Sequence, residues 1–251
     1  MVKRRRRREG GAEAWAQAAR RGGWMIACRA LCLCGLDLAN ALVGNSMPIE
    51  GNIVLTLMMK TETLQPMPLR YREDRATQAA ARLLRLRGGT MSYLKLMKLL
   101  YFADRRALAE LGRPISYDMY VSMPQGPVLS RTLDLMTEEP EPHADQLSYW
   151  RSFISEPHDW EVSLLRAEIP NDQLSRAEEE ILDRVFEKYG RLSRWEIRDL
   201  SHKLPEWHDP HGSCVPISIK EILLHQGMSE EDAQAVVEAL GAESYADQLA
   251  S

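Results

Sequence analysis

Apolar residues recur at helical spacing through most of the chain from Arg70 onward and predict a mainly α protein. A first helix is predicted over Asp74 to Leu86, and it stops at the glycine pair Gly88-Gly89. A second, longer helix is predicted over Ser92 to Leu111, with a buried apolar stripe along one side. Because Lys95 and Lys98 fall off that stripe, they are expected to lie outside the core.

Serine-led capping patterns predict where three later helices begin. Ser175 and Ser193 each stand three residues before a glutamate, and Ser229 stands three residues before an aspartate. At this spacing the serine oxygen accepts a hydrogen bond from a free backbone N–H group, and the acid can bond back. The helix after Ser193 is expected to reach Leu204, and the last helix is expected to end at Gly241.

A minor β component is predicted among the helices. Tyr117 to Met123 is rich in aromatic and β-branched residues and predicts a strand. The turn at Gln125-Gly126-Pro127 follows, and a third helix is predicted over Val128 to Met136. Trp150 to Ile154 and Trp160 to Ile169 are predicted to pair as a hairpin. The expected fold class is therefore mainly α, an α+β domain with a minor β hairpin and several helices.

The charge of the chain changes sign near residue 66. Residues 1–66 carry 10 Lys and Arg against 5 Asp and Glu, a net charge of +5. The rest of the chain carries 22 against 31, a net charge of −9, and the two parts give −4 in total. The basic part, which opens with the run Lys3 to Arg8, is interpreted as a poorly ordered or misassigned extension. The body is divided into a domain over 70–226 and a C-terminal helix and tail over 227–251.

Few residues offer recognisable chemistry. The strings GxxxxGK[ST], GxGxxG, GxSxG and HExxH are missing from the sequence. His202, His208, His211 and Cys214 fall within 13 residues, but their spacing matches no standard zinc module. No catalytic residue, metal or cofactor is therefore predicted. The four cysteines are interpreted as reduced thiols, which favours the cytoplasm.

Three motifs in order carry a resemblance to a known family. The first two are KLMKLLYFADRRALAELGRPIS over Lys95–Ser116 and DMYVSMPQGPVLSRTLDLM over Asp118–Met136. The third is LSHKLPEWHDP over Leu200–Pro210, a Ser-His pair followed by a tryptophan. Across about Asp74–His225 the chain closely resembles the Panacea domain, the family of SocA-like antitoxins and phage-associated relatives.

The resemblance implies a mostly helical domain that neutralises a cognate toxin, usually encoded beside it, by direct protein contact. Glu206 stands at a position that varies among relatives. Gly126-Pro127 is expected to set a turn, and a hydrogen-bonded His202 is expected to pack with Trp207. In an alternative interpretation, Lys95, Lys98 and Arg131 together form an exposed basic patch. The resemblance marks a set of family-motif residues, each of which is expected either to support the fold or to contact a partner. They are Lys95, Lys98, Tyr101, Gly126, Pro127, His202 and Trp207.

The leading hypothesis is a cytoplasmic antitoxin whose acidic body suits a basic protein partner. A second hypothesis, implied by SocA itself, is a proteolytic adaptor that delivers a bound toxin to a ClpXP-type protease. A third is a DNA-binding regulator that uses the helices over Asp74–Leu111, although the net charge of −9 argues against it. A fourth is a metal-dependent enzyme. An alternative places the specific partner contacts outside the shared domain, in the acidic tail Met228–Ser251 or in the N-terminal segment, and no membrane partner is predicted.

Overall fold

The structure is a computed structural model that describes residues 69–137 and 148–250. The predicted extension over 1–66 lies outside these residues. Within them, no helix combines the length and apolar character needed to cross a bilayer. The helices are α1 (Glu73–Arg87), α2 (Tyr93–Leu111), α3 (Ser130–Thr137), α4 (Tyr149–Phe153), α5 (Arg176–Tyr189), α6 (Arg194–Ser201), α7 (Ile219–His225) and α8 (Glu230–Leu249). The strands are β1 (Thr90–Ser92), β2 (Tyr120–Met123), β3 (Gly126–Leu129), β4 (Glu161–Ser163) and β5 (Val215–Ile217).

The long helix α2 is the centre of the fold. It packs against α1, α5, α6, α7 and strand β3, and 13 of its 19 residues are buried. A helix with this many buried positions is stable only where other elements exclude water from several of its faces. It ends at Gly112, whose φ of 66° places it in the left-handed region, as the sequence predicts. The mainly α fold class is likewise confirmed.

The lysines of α2 contradict the prediction that they lie outside the core. Lys95 is 4% exposed and Lys98 is fully buried. Arg131 is exposed on α3, so the three residues do not form a basic patch. An amphipathic pattern identifies the face that meets one neighbour, whereas α2 has neighbours on several sides. The prediction of exposed lysines was wrong for that reason.

Serine caps start the later helices as predicted. Ser175 and Ser193 each complete a capping box with the glutamate three residues ahead, at the starts of α5 and α6. Ser229 accepts a 3.0 Å hydrogen bond from the backbone N–H of Asp232 at the start of α8. These starts are predictable because both partners of each cap lie within four residues of each other.

Two helix ends differ from the prediction. Helix α6 ends at Ser201 rather than Leu204, because the chain continues in tight turns in which the Lys203 N–H bonds to the Leu200 carbonyl oxygen at 3.0 Å. Helix α8 runs through Gly241 to Leu249. A glycine inside a helix costs only about 1 kcal/mol. Contacts beyond Gly241, such as the 3.0 Å bond from the Tyr117 hydroxyl to Glu243, help to offset that cost.

A three-stranded antiparallel sheet, in the order β3-β2-β5, packs beside α2. Strands β2 and β3 form a tight hairpin in which Met123 pairs with Gly126 and Tyr120 pairs with Leu129. The helix predicted from Val128 therefore begins only at Ser130. Val128 and Leu129 are taken up by the pairing of β3 with β2.

The predicted hairpin over 150–154 and 160–169 was wrong. The first segment is helix α4, which Ser148 caps through the backbone N–H of Arg151. Strand β4 pairs with β1 instead, so that Met91 lies opposite Val162. The β pairing between the two segments is limited to an isolated bridge between Ile154 and Leu164. A short apolar run does not distinguish a buried helical turn from a strand, and Trp150 is 1% exposed in that turn.

Candidate functional site

The three sequence motifs meet at one place in the fold. Helix α2 supplies a lysine from the first motif, the β2–β3 turn supplies Gly126 and Pro127 from the second, and the end of α6 supplies a Ser-His pair from the third. A tryptophan from the loop after α6 completes the group. We call these residues the motif cluster: Lys98, Gly126, Pro127, Ser201, His202 and Trp207.

Lys98 anchors the β2–β3 turn to α2. Its Nζ donates a 2.6 Å hydrogen bond to the carbonyl oxygen of Pro127. Burial, and secondarily the positive charge of Arg198, lower the pKa of the Lys98 amine well below its ordinary value. None of the ion pairs among the described residues involves Lys98. This lysine therefore acts as a buried hydrogen-bond donor within the domain rather than as a surface charge.

Gly126 allows the hairpin turn to approach the end of α6. Its φ is +94°, a conformation that residues with a side chain rarely adopt. A Cβ atom at this position would lie closer than 3.0 Å to Ser201 Oγ, 3.0 Å from Lys98 Nζ and 3.1 Å from His202 Cδ2. The second motif thus needs glycine for two reasons, its backbone conformation and the lack of space around it.

His202 and Trp207 form a stacked pair. Their ring centroids lie 4.2 Å apart and their planes differ by 9°. His202 Nε2 is buried and has no hydrogen-bond partner among the described residues, so the expected hydrogen bond is not found at this nitrogen. Burial, and then the charges of Lys98 and Arg198, lower the pKa of His202. Stacking rather than hydrogen bonding holds this ring.

The third motif is also tied to strand β2. Trp207 Nε1 donates a 3.1 Å hydrogen bond to the carbonyl oxygen of Met123, and the backbone N–H of His208 donates to Ser122 Oγ at 3.2 Å. Ser201 Oγ donates to the Arg198 carbonyl oxygen at 2.7 Å. Each of these polar groups is thus used in an internal contact, which gives the motif cluster an architectural role.

A second polar group, which the sequence did not indicate, lies farther along α2. Glu206 is fully buried, and its Oε1 accepts hydrogen bonds from Arg105 Nε at 2.6 Å and from the Tyr101 hydroxyl at 3.2 Å. Burial, followed by the charge of Glu206, raises the pKa of Tyr101. The family-motif residue Tyr101 is thereby connected to the third motif through an acid for which the sequence suggested no role.

The remaining candidates lie apart from the motif cluster. Lys95 Nζ donates a 2.5 Å hydrogen bond to the Gly190 carbonyl oxygen, in the connection between α5 and α6. His208 Nε2 lies 3.1 Å from a carboxylate oxygen of Glu221, and the His211 side chain is 91% exposed. Among the residues that the structure describes, no three His, Cys, Asp or Glu side chains are grouped closely enough to hold a metal.

The burial of Lys98 predicts a pH dependence of stability. Because its pKa is lowered in the folded state, the unfolded chain holds a proton that the folded chain has released. The quantity to compare is the free energy of unfolding of the wild type minus that of Lys98→Met. This difference should increase as the pH rises toward the ordinary pKa of lysine, with a slope of up to about 1.4 kcal/mol per pH unit. Urea titrations between about pH 7 and pH 9.5 measure this difference.

Lys203 provides the matched control for this experiment. It is exposed, so Lys203→Met should give a stability curve that runs parallel to that of the wild type over the same pH range. Parallel curves for Lys98→Met as well would contradict a neutral buried amine. Comparison of variants is needed because buried tyrosines such as Tyr120 also titrate at high pH, and their contribution cancels in the difference.

Comparison with family models confirms the resemblance that the three sequence motifs indicate. Residues 96–208 match the family model described as antitoxin SocA-like, Panacea domain. This range includes the whole motif cluster and Glu206, and it excludes α1, α7 and α8. No curated protein and no solved structure gave a significant match to the chain.

Proposed function

We propose, from the match of residues 96–208 to the SocA-like Panacea family model, that the protein is an antitoxin. It binds a cognate toxin directly and neutralises it by contact. One observation carries the proposal beyond the family match. All three family motifs, spread over more than 100 residues, pack into the single motif cluster, so the residues that carry the family resemblance are joined in one folded unit.

The proposed partner is a basic protein encoded by the adjacent gene and present in the same cytoplasm. The described part of the chain supports this partner chemistry most clearly at α8. That helix, EEDAQAVVEALGAESYADQL, contains six acidic residues and no lysine or arginine. A surface of one charge accelerates encounter with a partner of the opposite charge and disfavours partners of the same charge.

A binding protein is proposed rather than an enzyme. The polar groups that most resemble catalytic residues are Lys98 and Ser201, and each has an internal backbone acceptor. A nucleophile and its base must instead be within reach of a substrate. Apart from His202 Nε2, the side-chain polar groups of the motif cluster are thus engaged in internal hydrogen bonds.

The arrangement of α2 favours a protein partner over DNA. A helix-turn-helix reader places an exposed helix in the major groove. Here α2, which would have to be that helix, is enclosed by neighbours that include α1, α5, α6, α7 and strand β3. The adaptor hypothesis requires the same binding step as the antitoxin hypothesis, so the two are separated by the need for a protease rather than by the fold.

Co-expression tests the proposed function. Cells that express the adjacent gene should stop growing, and expression of this protein should restore growth. The two proteins should also co-purify after nuclease treatment, because the complex needs no nucleic acid. Alanine at His208 and at His211 should leave rescue unchanged, since no metal chemistry takes part.

Two outcomes would change the proposal. Equal killing by the neighbouring protein with and without this chain, at matched expression, would refute the antitoxin function. Rescue that disappears in cells without a ClpXP-type protease would replace sequestration with delivery to that protease.

A further inference from the structure

Helix α8 is packed against the rest of the protein along one side. Three of its 20 residues are buried, namely Ala233, Leu240 and Ser244. These residues are seven and four positions apart, so they lie on one face of the helix. The element that this face contacts most is α7. The opposite face of α8 is therefore left open to solvent in the described part of the chain.

That opposite face is apolar in its own right. Exposed apolar residues recur along it at intervals of four and three positions, with a tyrosine beside them. We call these residues the outer stripe: Ala235, Ala239, Ala242, Tyr245, Ala246 and Leu249. A helix at the surface of a protein usually presents polar and charged residues on the side away from the core. Helix α8 instead has an apolar stripe on each of two opposite sides.

The two large side chains distinguish the outer stripe from an ordinary exposed helix. Alanines alone would be explained by their high helix propensity. The Tyr245 side chain, however, is 56% exposed, and Leu249 is 73% exposed, more than any other large apolar residue that the structure describes. Because both lie on the same half of the helix as Ala242 and Ala246, they form one continuous apolar surface with them. Exposed apolar surface of this kind is typical of sites where another protein binds.

Two glutamates extend the outer stripe toward the start of α8. Glu231 and Glu238 each stand one helical turn before an alanine of the stripe, and both are exposed. Neither forms an ion pair among the described residues, although Gln234 donates a 2.9 Å hydrogen bond to Glu238. By contrast, Glu230 on another side of the helix is paired with Lys220. The outer face of α8 is thus acidic at its first half and apolar at its second half.

This polarity indicates which kind of occupant fits. A second copy of α8 in antiparallel orientation would place Glu231 and Glu238 against the apolar residues Tyr245 and Leu249, which costs desolvation energy. A parallel copy would place acid against acid, and like charges disfavour association. The occupant that suits both halves carries positive charge at one end and apolar side chains at the other.

The alanines indicate the shape of that occupant. The distance between two packed helices is set by the side chains at their contact and falls to about 8 Å where these are small. Four alanines in the outer stripe therefore allow the backbone of another helix to approach closely. A helix of the partner would then contribute large apolar residues that cover the alanines, and it would read as an amphipathic segment in the partner's sequence.

We propose that the outer face of α8 is the surface that binds the toxin, through an amphipathic helix of the toxin. Large apolar residues of that helix lie over the outer stripe, and its lysines or arginines face Glu231 and Glu238. The inference rests on the proposed function in that the occupant is the toxin. It assigns the contact to a helix outside residues 96–208, the range that matches the family model.

Three substitutions to glutamine test the surface in the full chain. Ala242→Gln adds bulk where close approach is needed, Leu249→Gln removes an apolar contact, and Glu238→Gln removes a charge. All three positions are exposed, so the thermal midpoint should shift by less than about 2 °C. Binding of the adjacent gene product, measured by isothermal titration, should weaken about tenfold or more for Ala242→Gln and for Leu249→Gln. Affinity equal to that of the wild type in both variants would overturn the proposal.

The charge substitution has its own readout. The affinity of the wild type should fall as salt is added, and Glu238→Gln should make that dependence shallower. Two exposed residues elsewhere provide matched controls: Glu187 on α5 for the charge, and Leu165 after β4 for the apolar contact. Leu165 is 56% exposed, as Tyr245 is. Neither Glu187→Gln nor Leu165→Gln should change binding, and losses as large as those on α8 would refute a surface confined to that helix.

A photocrosslinking residue at position 242 identifies the occupant directly. With p-benzoylphenylalanine in place of Ala242, irradiation of the mixture should join this chain to the adjacent gene product, in a peptide of the product that has an amphipathic pattern. Crosslinks to a second copy of this chain, or to its own residues 1–66, would show a different occupant and would overturn the proposal.

A second probe decides the surface if the wild type does not bind the adjacent gene product, a result that would refute the proposed function. Two synthetic amphipathic peptides share one leucine pattern and differ in carrying lysine or glutamate at the polar positions. The lysine peptide should bind the wild type about tenfold more tightly than it binds Ala242→Gln or Glu238→Gln, and the glutamate peptide should not bind. Equal binding of the lysine peptide to the wild type and to both variants would refute α8 as a docking surface.

Discussion

Replacement of Gly126 by alanine is expected to lower the free energy of unfolding by about 2–5 kcal/mol. An alanine in the left-handed region costs about 1–2 kcal/mol, and forcing a methyl group into a packed interior costs about 1–3 kcal/mol more. Both costs apply here, because Gly126 has a φ of +94° and its Cβ would collide with Ser201 Oγ. Urea denaturation of the two proteins measures the difference.

Gly227 separates the two contributions. It has nearly the same φ, +90°, but a Cβ atom there would meet nothing within 4 Å. Gly227→Ala should therefore show only the backbone cost of about 1–2 kcal/mol. Equal losses at Gly126 and Gly227 would mean that the motif cluster yields to accommodate a methyl group, contrary to the close packing described above.

A second large loss of stability, about 3 kcal/mol, is expected for Glu206→Ala. The substitution leaves Arg105 and the Tyr101 hydroxyl without their shared acceptor. Breaking a buried ion pair from one side typically costs about 3–5 kcal/mol. The lower end applies because the Arg105 side chain is 19% exposed and can regain some hydration. Chemical denaturation at neutral pH provides the measurement.

The control for Glu206 is an ion pair of the same residue types at the surface. Arg176 and Glu180 lie 3.2 Å apart on α5, with side chains 91% and 55% exposed. Glu180→Ala should change stability by less than about 0.5 kcal/mol. A loss at Glu206 no larger than the loss at Glu180 would show that the buried pair contributes nothing that water cannot replace.

The starts of α5, α6 and α8 were predictable from the sequence, and the environment of the central helix was not. A capping box is formed by two residues that are three positions apart in the sequence. The starts of α5 and α6 can therefore be predicted from Ser175 and Ser193. The burial of Lys95 and Lys98 depends instead on elements that follow almost 100 residues later, such as Gly190 and α6. Side-chain periodicity within one helix holds no information about neighbours on its other faces.

The family motifs marked most of the motif cluster, but they did not reveal its contacts. Gly126 was expected to set a turn, and the structure adds that Ser201 and His202 occupy the space where a side chain would be. Glu206 was treated as a position of free variation, because a lone glutamate after a proline does not indicate burial.

The enclosure of α2 also has a consequence for the order of events during synthesis. Helix α2 emerges from the ribosome early, yet its covering helices α5, α6 and α7 begin at residues 176, 194 and 219. Until those residues have been translated, the apolar side chains of α2 have no permanent cover and are open to chaperones and proteases. A chain that stops short of α7 should therefore be removed as an unfolded protein, so that only nearly complete translation products persist in the cell.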